Sequence, residues 1–200
     1  GLGRGCGRKT LAYLGTGGVV GGEPCYVSLC FSSKVAAMGR AVRDDLYERD
    51  FYAWTQDQAR RLRAIEGDNR LDTARIAEEI EDLGRNDRRA LAAHLMRALQ
   101  HFAQAAMAVS DAPRAHWLAE ASDHLVDSRA LVADSPSLAN RIDLDRIWRT
   151  ALKEANGKLR LYGDPELPRD LALPFTLEAL LDEALEPEDG LARLRSALAA

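Results

Sequence analysis

The stretch RIAEEIEDLGRNDRRAL, residues 75–91, decides the fold. At ~100° per residue, Ile76, Ile80 and Leu83 project at about 0°, 40° and 340°, a single apolar stripe. Glu78, Glu81, Asp82, Arg85 and Arg89 project between about 140° and 240°, on the opposite side. Four carboxylates within five residues suggest an acid pair or a metal site at first sight. Their placement opposite the stripe makes them a solvated face instead. Glu81 stands four residues before Arg85 and Asp82 three before it, the spacings at which helical side chains pair. Such exposed pairs contribute about 0.3–0.5 kcal/mol each. Glu79, at about 300°, flanks the stripe. Gly84 lies beside it and costs ~1 kcal/mol relative to Ala in a helix interior. A close helix contact is the simplest reason for it.

The helical pattern extends outward in both directions. Asp72 is a cap for a helix running to about residue 108, where Ser110 to Pro113 signals a turn. Upstream, Tyr47, Phe51, Trp54, Leu62 and Ile65 recur at helical spacing from about residue 44 to 66. Downstream, a third helix is predicted over about 114–133, burying Trp117, Leu118, Ala121, Leu125 and Leu131. Ser135-Pro136 is a cap followed by proline at the first helical position. A fourth helix is predicted over about 143–161 through Leu144, Ile147, Trp148, Leu152 and Leu159, stopped by Gly163-Asp164-Pro165. Pro165, Pro168 and Pro174 make ELPRDLALPF (166–175) an extended strap. Thr176 caps a short helix, TLEALLDEAL. Each helix has one apolar stripe to bury, so the expected fold is all-α: one bundle of about four main helices plus a short C-terminal helix. No strand shows convincing alternation.

The composition is divided near Met38. Residues 1–37 hold all three cysteines, nine of the fifteen glycines and a net charge of +3, whereas the rest of the chain carries −7. We expect residues 1–37 to be a disordered extension or upstream sequence, 38–188 to be the bundle, and 189–200 to be a tail with Leu191, Leu194 and Leu198 at helical spacing. LAYLGTGGVV is interrupted by three glycines, unlike the unbroken apolar core of a signal peptide. The steps between Cys6, Cys25 and Cys30 match no zinc pattern. A domain starting at Met38 would contain no cysteine, which fits a cytoplasmic location. No apolar run has the length to span a membrane.

Polar residues on the stripe are the candidate site. Asp87, His94 and His101 project at about 20°, 0° and 340° on the same wheel. Buried polar groups require partners. His94 and His101 are seven residues, roughly 10 Å, apart along the axis and cannot share one metal. If the turn at 110–113 closes an antiparallel hairpin, His101 lies level with Ala121, within reach of His116 and His124. The candidate polar cluster is therefore Asp87, His94, His101, His116 and His124. Hydrogen-bonded core histidines are the plainer reading; a divalent metal or small ligand held by these groups is the sharper one. No HExxH motif, phosphate loop, dinucleotide fingerprint or GxSxG is present, so no cofactor is implied and the reading leans away from an enzyme. RNDRR (85–89) and QARRLR (58–63) are surrounded by acids, which argues against nucleic acid.

Four phrases together, LYERDFYAWTQDQARRLR (46–63), RIAEEIEDLGRNDRRAL (75–91), DSPSL (134–138) and FTLEALLDEALEPE (175–188), resemble a bacterial family catalogued as domain of unknown function 29. The resemblance covers about residues 44–188 and implies a small all-helical protein, without agreed catalytic residues. Members often carry His-Leu-Leu-Lys-Trp late in the second helix. HFAQAAMAVSDAP, beginning at His101, keeps the histidine but not the Lys or Trp, so a role resting on those two does not transfer. The Ser-Trp that often opens the third helix appears as His116-Trp117. The leading functional expectation is a protein-interaction bundle, as an adaptor, an antitoxin-like partner or a homo-oligomer. The alternative is the metal- or ligand-binding bundle.

Overall fold

The computed structural model describes residues 45–65 and 70–200. The division at Met38 and the reading of residues 1–37 lie outside them. A helical turn at 45–49 breaks at Asp50, and the chain continues as α1 (Phe51–Arg63), α2 (Thr73–Met107) and α3 (Asp111–Asp134). A 3-10 turn (Pro136–Arg141), α4 (Leu144–Tyr162), the short α5 (Leu177–Leu181) and α6 (Pro187–Ala199) complete it. Among the described residues there is no strand. The architecture is all-α, with α2 at its centre.

The caps explain where the helices begin. Asp72 and Asp143 each accept a hydrogen bond from the backbone three residues on, at 3.0 Å in both cases. Asp50 does the same for Ala53 and also accepts from the backbone and hydroxyl of Ser137, while Ser135 Oγ accepts from Tyr52 N–H. Two of the phrases that carried the family resemblance are thus bonded to each other. The third helix starts at Asp111, not Arg114, because Pro113 falls within the first turn, where its missing N–H has no helical partner to lose. Gly163 ends α4 at φ +76, a left-handed conformation that side chains with a Cβ resist.

Helix α2 is 35 residues, ~52 Å, and α3 is 24, ~36 Å. The end of α3 at Asp134 is level with Asp87, since the two line one hollow. Arg88 and Arg89 likewise share a cleft with the start of α4. From Leu91 onward, α2 is therefore enclosed by α3, α4 and α6. Leu91, Leu95, Leu99 and Phe102 are fully buried against residues such as Leu125, Trp148, Leu159 and Leu194. Before Asp87, α2 projects past those helices and packs on α1.

That projection corrects the stripe. Ile76 is 36% exposed and Leu83 49%, whereas Ala77 and Gly84 are buried. The buried face lies ~80–100° round from Ile76. Small residues win there because α1 lies so close: a Cβ on Gly84 would overlap Thr55 Oγ1 and come within 3.0 Å of the Tyr52 ring. Thr55 and Ala59 are the buried residues of α1, while Tyr47 and Ile65, expected inside, are about half exposed. Arg85 pairs with Asp82 as expected, but Glu81 reaches across to Arg63 of α1 instead of pairing with Arg85.

Past Gly163 the chain runs without regular structure over α4. Asn156 donates to Leu167 C=O at 2.9 Å and accepts from Leu167 N–H at 2.8 Å, and Trp148 Nε1 donates to Leu171 C=O at 2.7 Å. The side chains of α4 thus supply the backbone partners that a strap lacks. The segment set apart as a tail, 189–200, belongs to a helix beginning at Pro187 whose Leu191 and Leu194 are buried. Gly190 lets it approach until an added Cβ would stand 2.6 Å from the Phe102 ring. No helix of the described residues is long and apolar enough to cross a membrane.

Candidate metal centre

Helices α2 and α3 run antiparallel, and their facing edges bring three of the four histidines together. His94 Nδ1 lies 3.2 Å from His124 Nδ1 and 3.3 Å from Asp127 Oδ2. His124 also stacks on His101, with ring centroids 5.8 Å apart and planes 12° from parallel. His124 therefore sits between two histidines that α2 holds about two turns apart. Two overlapping sets have ligand atoms within 4.8 Å of one another: His94, His124 and Asp127, and His101, Glu120 and His124.

The same rotation of α2 that exposes Ile76 moves His94 and His101 from the centre of the buried face to its rim. Both are half-buried, as is His124, while Asp127 is exposed. Burial is the main cause that pushes the His101 and His124 pKa values below the ordinary histidine range. The neighbouring histidine adds to it in each case, His124 for His101 and His94 for His124, against the opposing pull of Glu120. Both rings are thereby kept neutral near pH 7, the state that can donate a lone pair to a metal. His101 Nδ1 is buried with no hydrogen-bond partner.

The two remaining predicted members are elsewhere. His116 is exposed and belongs to neither set, because it lies two turns before His124 on α3, beyond the reach of His101. Asp87 sits near the far end of α3 with Asp134, in a hollow lined by Tyr47, Phe51 and Leu131. Burial first, and then the Asp134 charge, raise its pKa. Glu120 and Asp127 join the site without having been singled out in the sequence. Their signal was present, since Glu120, His124 and Asp127 follow at steps of four and three, one face of a helix.

The hydrogen-bonding alternatives are incomplete. His94 Nδ1 has either a proton or a lone pair. With a proton it must share one donor between His124 and Asp127; with a lone pair it faces the carboxylate unbonded. A single cation at the point where the three atoms converge would satisfy all of them. For zinc, arms of ~2.05 Å in tetrahedral array place ligand atoms ~3.3 Å apart. The observed 3.2 and 3.3 Å agree. Two imidazoles and one carboxylate are also a ligand set that first-row metals accept.

No curated protein matches this chain. A crystal structure of an alpha-helical protein of unknown function from Rhodospirillum rubrum is similar, with 30% sequence identity and a TM-score of 0.67. The match covers 74% of this chain and 96% of that one. The model of the family described as domain of unknown function DUF29 matches residues 46–185, from the turn before α1 to the end of the segment after α5. With its caps, its strap and its central helix inside that match, the chain belongs to the DUF29 family.

Proposed function

We propose that this protein binds one divalent transition metal ion of the zinc class between α2 and α3, through His94, His124 and Asp127. The observation that carries this reading is the pair of 3.2 and 3.3 Å separations about His94 Nδ1, the edge lengths of a tetrahedral site. Three protein ligands with an exposed member leave a fourth position for water or a small ligand. His101 and Glu120 stand beside it, sharing His124, and would orient that ring. The test is titration of metal-stripped protein with Zn2+ and Co2+, followed by calorimetry and by the visible spectrum of the cobalt form. We expect one metal per chain and an intense tetrahedral cobalt spectrum. His124→Ala should abolish both, and His116→Ala should leave both unchanged. Equal binding by the two variants would overturn the assignment.

A second reading, protein contact, is favoured by a different observation. Ile65, Leu71, Ile76 and Leu83 are all exposed on the projecting α1–α2 end, between 36% and 60%. An apolar group of this kind beyond the enclosed core fits a surface for association with another chain.

A further inference from the structure

On the other side of α2 from the histidines, a cleft of about 410 Å3 runs between α2 and the start of α4. Four arginines line it: Arg88 and Arg89 from α2, Arg141 from the 3-10 turn and Arg146 from α4. Such a concentration stands out on a chain of net charge −4. The one acid in the lining is Asp143, and its Oδ1 is engaged in capping α4 through Arg146 N–H at 3.0 Å. Among the described residues, no ion pair or side-chain hydrogen bond engages the guanidinium of Arg88, Arg141 or Arg146; Arg89 has a weak bond to Asn86 at 3.4 Å. Several arginines elsewhere in the molecule do have a carboxylate partner, as Arg160 has Glu166 at 2.8 Å. Besides the four arginines, Asp143 and Thr150, the rest of the lining is apolar and includes Met96, Ile142 and Ile147.

We infer that this cleft is a binding site for a small phosphate ester with an apolar body. Guanidinium forks match phosphate oxygens two at a time, and the charge excess of the lining suits a dianion. The apolar floor would receive the rest of the ligand. The volume is in the range of small-molecule sites and too small for a nucleic-acid track. This inference is independent of the metal site, from which α2 separates it.

Isothermal titration of the full chain with phenyl phosphate, inorganic phosphate and a glutamate-rich peptide tests it. Saturable 1:1 binding of phenyl phosphate, clearly tighter than inorganic phosphate, is expected. Arg88→Ala and Arg146→Ala should each weaken it by about tenfold or more, as loss of a charged hydrogen bond does. Arg195→Ala, on the exposed side of α6, should leave it unchanged. All three arginines are exposed, so circular dichroism should show the fold intact in each variant. The inference is overturned if phenyl phosphate gives no saturable heat, if it binds no better than inorganic phosphate, or if the Arg88 and Arg146 variants bind as wild type. A glutamate-rich peptide that outcompetes phenyl phosphate would also overturn it, in favour of a protein partner.

Discussion

His124 is the residue on which the candidate centre turns. It belongs to both ligand sets, touches both histidines of α2, and has a pKa lowered by burial first and by His94 second. His101 is lowered in the same direction. A histidine whose folded pKa is depressed binds fewer protons in the native state than in the unfolded one. Its contribution is therefore present above the unfolded value, ~6.5, and is lost as pH falls through the folded pKa. We expect the metal-free protein to be less stable at pH 5 than at pH 7.5. His124→Gln should flatten part of that slope in urea titrations at the two pH values, and a wild-type slope of opposite sign would contradict the assignment. Proton competition has the same direction for metal, so zinc affinity should fall over this interval as well.

At the scale of elements, the contact between α1 and α2 depends on what is missing at Gly84. Replacing a helical Gly by Ala on an open surface gains ~1 kcal/mol. Here the new methyl meets Thr55 Oγ1 and the Tyr52 ring, and both stand on the closely packed face of α1. Gly84→Ala should destabilise by about 1–3 kcal/mol, the range for overpacking. Adding Thr55→Ala should recover part of the loss, a coupling that a double-mutant cycle of melting curves reads directly. This contact also shows how far the sequence could be read. Helix order, the caps at Asp72 and Thr176 and the strap were legible, because caps, prolines and spacing are local signals; the break at Asp50, the start of α3 at Asp111 and the full extent of α6 were not. The rotation of the first half of α2 was not. Ile76, Ile80 and Leu83 form the better apolar stripe, yet α1 packs on Ala77 and Gly84, and only the partner helix decides which face is inside. Because His94 and His101 were projected from the same reference, they were placed too deep. Their meeting with His124 followed from the hairpin, whereas Asp87 and His116 failed for reasons of level along the axis.

For the whole molecule, the difference in length between α2 and its neighbours leaves two unlike halves. One is a core enclosed by α3, α4 and α6, with the histidine cluster and the arginine-lined cleft on opposite sides of α2. The other is the projecting α1–α2 end with its exposed Ile65, Leu71, Ile76 and Leu83. If that end associates with a second chain, analytical ultracentrifugation should show a concentration-dependent dimer. Ile76→Glu with Leu83→Glu should return it to monomer without lowering the melting temperature of the core. A wild-type protein monomeric at high concentration would remove self-association from consideration.

Asp50 gives the two halves a shared history. One carboxylate caps α1 and holds Ser137, while Ser135 receives the Tyr52 amide in return. These positions are far apart along the chain, so mutation reaches them independently, but selection does not see them separately. A lineage that loses the aspartate strands Ser137 and uncaps α1, and one that loses the serines leaves the Tyr52 amide without its partner. Among relatives, the FYAWT and DSPSL segments should accordingly be inherited, or abandoned, together.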